Sequence, residues 1–491
     1  MRKTHMAIIV IASLLLVISV AYGLITLYAK KDTLPKGVSI GGWEAGGQPI
    51  VQVRQELDRR LAALEQLPLQ LRDSRTKAQI HPAVSLTLKE AGIEYHAEAF
   101  RAAVDRLEQG SVFSRAKARW QMDKIWQIEV VRDSKKLPSK LDSAWEEKQY
   151  GLPVNAVRQI GPDDTVRYLP GKSVYRIDWP VLHQRIQASL PPDLSSRTDG
   201  QMISLSLPLR LQEPAVTIAS LKQEGIERKI IQFSTSLGTS SAGRVYNVSA
   251  AARTVDGMVL APGEIFDYGK VIKEAEKRFG FREAPVIIGG HMEPGIGGGI
   301  CQVSSTLYNA ALRTGLEIVE RRHHSVPVRY LPKGQDATFS SGSINFRFRN
   351  TTGKYLLIRS TVSGGALSVK FFGTFPQNVS YTIESVTVKT LPAPEKFIRG
   401  EMLAPGSWQV LQNGKTGYVI DTYRIKKVNG TITERIKISR DTYLPQTRLI
   451  ATHSGSMGPE DMSGLPGLPG GQERIIEDGV SGLLQENGDE Q

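Results

Sequence analysis

Cysteine is almost absent from this sequence, which has one, Cys301, in 491 residues. An internal disulfide and a metal site with two thiolate ligands both need a second cysteine, so both are excluded. Long apolar runs are equally scarce, since residues 7–28 form the only one, and this excludes a polytopic membrane protein. Long basic runs with interleaved aromatic residues are also missing despite a net charge of +13. We therefore expect no nucleic-acid partner.

The remaining composition is that of a folded, basic protein. Apolar residues make up 40% and charged residues 23% of the chain, which is ordinary for globular domains and rules out a wholly disordered chain. The length suggests about three domains. The basic charge suits an anionic wall or lipid surface, although general solubility explains it equally well.

The apolar run at residues 7–28 predicts a membrane-spanning helix. Its 22 residues would form a helix about 33 Å long, enough for a hydrocarbon core of about 30 Å. A signal peptide cleaved near residues 19–21 is the alternative, but the run exceeds the usual signal-peptide core and favours an uncleaved anchor. Either way, the chain from Asp32 onward is predicted to lie outside the cytoplasm, as a single-pass protein of the cell membrane.

Patterns further along the chain predict an α+β architecture. Residues 53–64 carry apolar positions at helical spacing, and residues 203–211 alternate between apolar and polar as a half-buried strand does. Asn429-Gly430 separates two alternating runs and predicts a β-hairpin. From Ser454 the chain is rich in Gly, Pro and acidic residues, so we expect a disordered tail.

The strongest chemical signal surrounds Cys301. Three consecutive glycines at residues 297–299 precede it, and apolar residues recur at helical spacing after it. Cys301 is therefore predicted in the first turn of a helix, where free N–H groups and the helix dipole lower the pKa of a thiol. The backbone N–H groups beside Gly298 and Gly299 would also hold an oxyanion. Papain-like and transglutaminase-like enzymes present their nucleophile in this way.

A base and an orienting acid follow the cysteine in order. His323 and His324 immediately precede the strand-like run SVPVRYL, and Asp336 immediately precedes the run ATF. If both runs are adjacent antiparallel strands, the two side chains lie side by side, and Cys301, His324 and Asp336 form a catalytic triad. The alternative is that Cys301 is a small buried residue that only packs.

Polar residues crowd the start of the predicted helix beyond what capping needs. We expect them to contact a ligand or to brace the glycine loop; they are Gln302, Ser304, Ser305, Thr306, Tyr308 and Asn309. Metal binding by the histidines at 291, 323 and 324 is weaker, because no HExxH or carboxylate-rich spacing supports it. We therefore predict neither a metal nor another cofactor.

These motifs resemble a known family. The stretches GGGICQVSSTLYNAAL and GLEIVERRHHSVPVRYLPKGQDATF closely resemble the core of the VanW-like family of bacterial cell-envelope proteins, named for glycopeptide-resistance clusters. The resemblance extends over residues 224–358. The preceding segment, with GVSIGGWEAGG, resembles a peptidoglycan-binding module. The following segment is similar to the five-glycine domain, a strand-rich module linked to polymers of N-acetylglucosamine.

The resemblance implies work at peptidoglycan, through its stem peptide or its glycan. It places the candidate residues named above on the family motif. The chain also departs from the family, because the usual His-Pro-His-Ser is Arg-His-His-Ser at residues 322–325. That departure favours His324 as the base. Asn345 stands where aspartate is frequent, which disfavours it as an orienting acid.

Two functions follow from these patterns. The first is a membrane-anchored cysteine amidase, peptidase or transpeptidase that uses Cys301, His324 and Asp336. The second is a non-catalytic scaffold that binds peptidoglycan. The predicted parts are a cytoplasmic stub and transmembrane anchor (1–31), an α+β peptidoglycan-binding module (32–213), an α+β VanW-like domain (214–374), a strand-rich five-glycine-like module (375–455) and a disordered tail (456–491).

Overall fold

The computed structural model describes residues 2–73, 84–195, 201–288, 290–400, 402–404, 406–453 and 476–480. Its helices are α1 (Arg2–Ala29), α2 (Ile50–Glu65), α3 (Glu98–Glu108), α4 (Val112–Trp120), α5 (Lys136–Lys140), α6 (Ser143–Tyr150), α7 (Trp179–Ser189), α8 (Ile218–Gln223), α9 (Ala242–Val255), α10 (Tyr268–Phe279) and α11 (Ile300–Arg313). The first strands are β1 (Ser39–Ile40), β2 (Trp43–Glu44), β3 (Pro68–Arg72), β4 (Val84–Thr87), β5 (Ile93–His96), β6 (Ile125–Trp126), β7 (Glu129–Arg132), β8 (Val157–Ile160), β9 (Val166–Leu169), β10 (Val174–Ile177), β11 (Ile203–Ser206), β12 (Leu209–Gln212), β13 (Arg228–Ser236) and β14 (Val259–Leu260). The remaining strands are β15 (Ile265–Asp267), β16 (Glu283–Ile288), β17 (His291–Ile296), β18 (Glu317–Glu320), β19 (Arg347–Arg349), β20 (Leu356–Ser363), β21 (Ala366–Gly373), β22 (Val379–Leu391), β23 (Glu395–Arg399), β24 (Trp408–Gln412), β25 (Gly417–Val428), β26 (Thr431–Tyr443), β27 (Arg448–Thr452) and β28 (Ile476–Glu477).

The chain divides into two compact units, both of mixed α and β structure. Residues 1–155 and 172–215 form the first unit, and residues 156–171 and 216–491 form the second. Helix α1 belongs to the first unit. It is long and apolar enough to cross a membrane, and its apolar window is not buried in the protein. A signal sequence has the same properties, so both interpretations of this helix remain compatible with the structure.

The first unit confirms the predicted helix and corrects one strand. Helix α2 buries the apolar face that includes Val53, Leu57 and Leu61. Residues 203–211 do not form one strand, because β11 ends before Pro208 and β12 begins after it. Proline has no N–H to donate to a ladder, and the two strands join different sheets: β11 pairs with β3, and β12 pairs with β10.

The second unit is built around helix α11. Residues 300–312 of α11 are all buried, polar side chains included. A sheet in the order β13-β21-β20-β14 lies against this helix. The apolar core of the unit combines α9, α10 and α11 with aromatic residues that include Phe346 and Phe348.

In this unit the structure contradicts two predicted strands and confirms a predicted hairpin. Residues 325–331 and 336–339 are irregular, so the two strands predicted there are wrong. Pro327 and Pro332 interrupt this region and deny it the donors that a ladder needs. The predicted hairpin is confirmed: Asn429 and Gly430 have φ of 50° and 81°, and they join β25 to β26 in the sheet β22-β25-β26.

A short segment near the C-terminus is ordered within the second unit. Residues 476–480 pair with neighbouring strands, and Asp478, Gly479 and Val480 are buried. The expected disorder of residues 456–491 is therefore wrong for this segment. The rest of that tail lies outside the described residues.

Candidate functional site

The glycine run ends in the turn that starts helix α11. Gly297 and Gly299 have φ of 89° and 107°, a region that side chains disfavour. Gly298 lies so close to strand β16 that a Cβ there would collide with the carbonyl oxygen of Pro285. Glycine at these positions brings the backbone close to β16 and delivers Cys301 to the first turn of the helix, as the sequence predicts.

The Cys301 thiol is sealed in the protein. Its side chain is 0% exposed, and its sulfur accepts the Phe339 N–H at 3.0 Å and donates to the Phe339 carbonyl at 3.4 Å. Burial, with the charge of Asp478 as a second cause, raises the pKa of Cys301 well above its usual value. The expectation that the helix start lowers this pKa is wrong, because burial in this structure outweighs the dipole.

His324 and Asp336 form a close, fully buried pair. The His324 ring donates from Nδ1 to Asp336 Oδ2 at 2.7 Å, and the His324 backbone N–H donates to the same oxygen at 2.7 Å. The predicted neighbours therefore meet, but through side-chain bonds instead of paired strands. Within the described residues, His324 Nε2 is buried and has no hydrogen-bond partner.

The attraction between His324 and Asp336 favours the charged form of each. Burial disfavours the imidazolium, but the hydrogen bond and charge of Asp336 outweigh it and raise the pKa of His324. Burial likewise opposes the carboxylate, but His324 and Arg321 lower the pKa of Asp336 well below its usual range. Tyr443 donates its hydroxyl to Asp336 Oδ1. Arg321 also binds Asp441 at 2.7 Å, so strand β26 supplies two of the residues around the pair.

The thiol and the imidazole are not hydrogen-bonded to each other. The described thiol bonds go to Phe339, and His324 Nε2 has no partner among the described residues. The structure therefore joins two members of the predicted triad, His324 and Asp336, and gives Cys301 different partners.

The polar residues of α11 brace the loop that holds Asp336 and do not line an open surface. Ser304 donates to the Ala337 carbonyl at 2.6 Å, and Asn309 donates to the Gln335 carbonyl at 2.7 Å. The remaining members of the group are also buried: Gln302, Ser305, Thr306 and Tyr308. These contacts differ from the predicted bracing of the glycine loop, because they hold the loop at residues 335–337 instead. A role in contacting a ligand needs exposed atoms, which these side chains lack.

Several residues at this site have no signal in their local sequence. Asp478 accepts the Cys301 backbone N–H at 2.8 Å and pairs with Arg244 at 3.0 Å. Glu477 accepts from Ser325 at 2.9 Å. Arg244 belongs to a stretch that resembles the family, but nothing in it indicates a partner 234 residues away. No group of three or more His, Cys, Asp or Glu side chains in the described ranges has the arrangement of a metal site.

Comparison with known proteins places these observations in a family. The profile described as "VanW like protein" matches residues 243–372, and the G5 domain profile matches residues 382–452. The chain is 31% identical over 236 residues to YoaR of Bacillus subtilis, covering 48% of this chain and 74% of YoaR. It is 34% identical over 114 residues to the vancomycin B-type resistance protein VanW of Enterococcus faecalis, covering 22% of this chain and 42% of VanW.

Solved structures match the G5 region. The G5 domain of an IgA1 protease is 26% identical, with 16% of this chain and 92% of that chain covered and a TM-score of 0.14. The G5 domain of HP0197 is 25% identical, with 14% and 95% covered and a TM-score of 0.11. The two profile matches and the identity to YoaR confirm two parts of the resemblance seen in the sequence: the chain belongs to the VanW-like family that includes YoaR, and a G5 domain follows its VanW-like domain.

Proposed function

We propose that this protein is a cell-envelope scaffold that binds peptidoglycan without using Cys301 as a nucleophile. One observation carries the choice of binding over catalysis, namely the state of the thiol. The sulfur is sealed, is bonded to both backbone groups of Phe339 and has a raised pKa. A nucleophilic cysteine needs access and thiolate character, and this environment supplies neither.

The parts of the chain support this proposal in different ways. Helix α1 serves as the membrane anchor, since its apolar window is long enough to cross a membrane and is not buried in the protein. The G5 domain is the glycan-binding part, as the family resemblance implies. The VanW-like region contacts wall peptides, and the name of VanW as a vancomycin resistance protein supports a role at the wall. The predicted boundaries at residues 32–213, 214–374 and 375–455 belong to the same proposal.

A second candidate is a cysteine amidase, peptidase or transpeptidase with a papain-like or transglutaminase-like core. The His324–Asp336 pair favours it, because a histidine oriented by a carboxylate through Nδ1 leaves Nε2 free for proton transfer. In that mechanism the thiol turns from Phe339 to His324 and gives its proton to Nε2, and the sulfur adds to an amide carbonyl whose oxyanion is held by the start of α11. The amide C–N bond then breaks, the amine leaves with the proton from Nε2, and the acyl group on sulfur passes to water or to an acceptor amine.

Binding to purified peptidoglycan sacculi tests the proposal. The detergent-solubilised full chain and its Cys301→Ala variant are incubated with sacculi, the bound fraction is measured by sedimentation, and the released muropeptides are analysed by mass spectrometry. We expect equal binding by both proteins and an unchanged muropeptide profile. A muropeptide product made by the wild type and absent with Cys301→Ala would overturn the scaffold and establish the enzyme.

A further inference from the structure

Residues 476–480 lie in a groove between strand β16 and Ser340 at the start of helix α11. On one side, β28 adds antiparallel to the edge of β16, with Glu477 opposite Ile287. On the other side, Gly479 forms a parallel bridge to Ser340. The Val480 N–H then donates to the Ile296 carbonyl at 3.0 Å. Main-chain pairing of this kind is how proteins hold peptide ligands by strand addition.

The groove is equipped for a carboxylate. One oxygen of Asp478 accepts the Cys301 N–H at 2.8 Å, and the other pairs with Arg244 at 3.0 Å. Free N–H groups and the dipole make a helix start a site for anions, and Arg adds a fixed positive charge. Asp478 is 5% exposed and has a φ of 63°. A non-glycine residue in that conformation is strained, so these contacts offset a local cost.

Further groups face the same segment. Ser325 donates to Glu477 from its N–H at 2.9 Å and from its hydroxyl at 3.0 Å. The carboxylates of Glu477 and Asp478 lie close enough to act on the charge of His324. Nε2 of that buried ring has no partner in the described part of the chain. His324 is thus a buried polar group within electrostatic range of the acidic segment.

We propose that this groove is a binding site for an extended peptide bearing a carboxylate, and that residues 476–480 occupy it as an intramolecular competitor. The inference rests on the proposed function, because stem peptides of the wall belong to that ligand class. A wall peptide would replace β28 along β16 and put its carboxylate on Arg244 and the Cys301 N–H. Departure of the segment also removes two carboxylates from the neighbourhood of Cys301 and His324.

The full-length chain allows a direct test. Asp478→Lys removes the carboxylate and places a positive charge next to Arg244, which should expel the segment. Glu434→Lys makes the same charge change at an exposed position of β26 and is the matched control. Asp478→Asn keeps the shape and removes only the charge, which covers the case in which the lysine variant fails to fold.

Two readouts report on the groove. Because Cys301 is the one cysteine in the sequence, its alkylation by iodoacetamide is followed by mass spectrometry of the intact protein. Binding of a fluorescent peptide with the sequence of residues 474–482 is followed by anisotropy, against the same peptide with asparagine in place of aspartate. We expect Asp478→Lys to be alkylated about tenfold to hundredfold faster than the wild type, the factor that charge-assisted hydrogen bonds produce.

The outcomes separate the two proposals. Faster alkylation of Asp478→Lys, together with peptide binding that needs the aspartate, supports the groove. If both Asp478 variants are alkylated and bind the peptide only as much as Glu434→Lys does, the groove proposal is wrong. Binding of the wild type to sacculi would still support the scaffold in that case. A synthetic L-Ala-D-Glu-L-Lys-D-Ala-D-Ala peptide should compete with the fluorescent peptide. If it fails while the tail peptide binds, the groove stands and its assignment to wall peptides is overturned.

Discussion

The Cys301 thiol and the His324 imidazole are both fully buried in the second unit, and nearby carboxylates favour the neutral form of the thiol but the charged form of the imidazole. The thiol is held by the two backbone groups of Phe339, and burial and Asp478 keep it neutral. The imidazole is held by the side chain of Asp336, which favours its charged form. Arg321 supports Asp336 from the other side.

This difference shows how the site separates structural and chemical roles. The neutral thiol bonds helix α11 to the loop at Phe339, as the serines of the helix do at Ala337. The charged pair needs compensation from residues far apart in sequence, and it keeps one ring nitrogen unbonded within the described structure. If Cys301 acts as a nucleophile, its thiol must therefore first leave Phe339 and reach the imidazole of His324.

Removing the carboxylate of the charged pair should have the largest effect. Asp336→Ala leaves His324 and Arg321 buried beside a missing partner, and we expect a loss of about 3–5 kcal/mol in the free energy of unfolding. Urea denaturation of the full chain measures it. Asp421→Ala is the control, because its partners on β26 are about half exposed and solvent screens their charges, so the loss in the free energy of unfolding should be smaller there. Equal losses for Asp336→Ala and Asp421→Ala would contradict the expectation that the buried pair contributes more to stability than the half-exposed one.

Truncating the thiol should cost less. Cys301→Ala leaves the Phe339 N–H without its buried acceptor, so we expect a loss of about 1–3 kcal/mol. Cys301→Ser retains a hydrogen-bonding atom and should recover part of that loss. Both are measured by the same denaturation. If both variants are as stable as the wild type, the thiol does not brace the loop.

The contribution of strand β26 should be smaller again. Tyr443→Phe removes a hydroxyl that donates to Asp336 and accepts from the Gly334 N–H, and we expect a loss of about 1 kcal/mol. Thermal unfolding measures it. Combining Tyr443→Phe with Asp336→Ala should cost less than the two single losses added together, since the hydroxyl then has one partner fewer. Simple additivity would show that the two groups are not coupled.

The pH dependence of stability should show the smallest effect. The raised pKa of His324 gives a stabilisation that is complete below its unfolded value of about 6.5 and is lost as pH rises through the folded value. The lowered pKa of Asp336 gives a stabilisation that is present above about 3.9 and is lost as pH falls through the folded value. The stability difference between wild type and His324→Gln should therefore narrow as pH rises above about 6.5 and through the folded-state pKa of His324. A constant difference would mean that His324 does not gain charge on folding.

Whether each prediction is correct depends on how far apart in the sequence the interacting residues lie. The glycine turn and the start of α11 are local, so residues 297–301 predicted them correctly. The pairing of His324 with Asp336 was expected for the wrong reason, because side-chain bonds across 12 residues replace the predicted strands. The low pKa expected for Cys301 is wrong because the dipole is a local property, whereas burial depends on everything that packs around the helix.

Sequence alone determined the apolar first helix, the mixed α and β character, the hairpin at Asn429 and the family, since each depends on residues that are neighbours in the sequence. Only the tertiary structure decided that Phe339 holds the thiol, that Tyr443 reaches Asp336 across 107 residues, and that Asp478 meets the start of α11 across 177 residues. Contacts at such separations depend on how the whole unit packs, and no local pattern of residues encodes which distant partner a buried polar group will find.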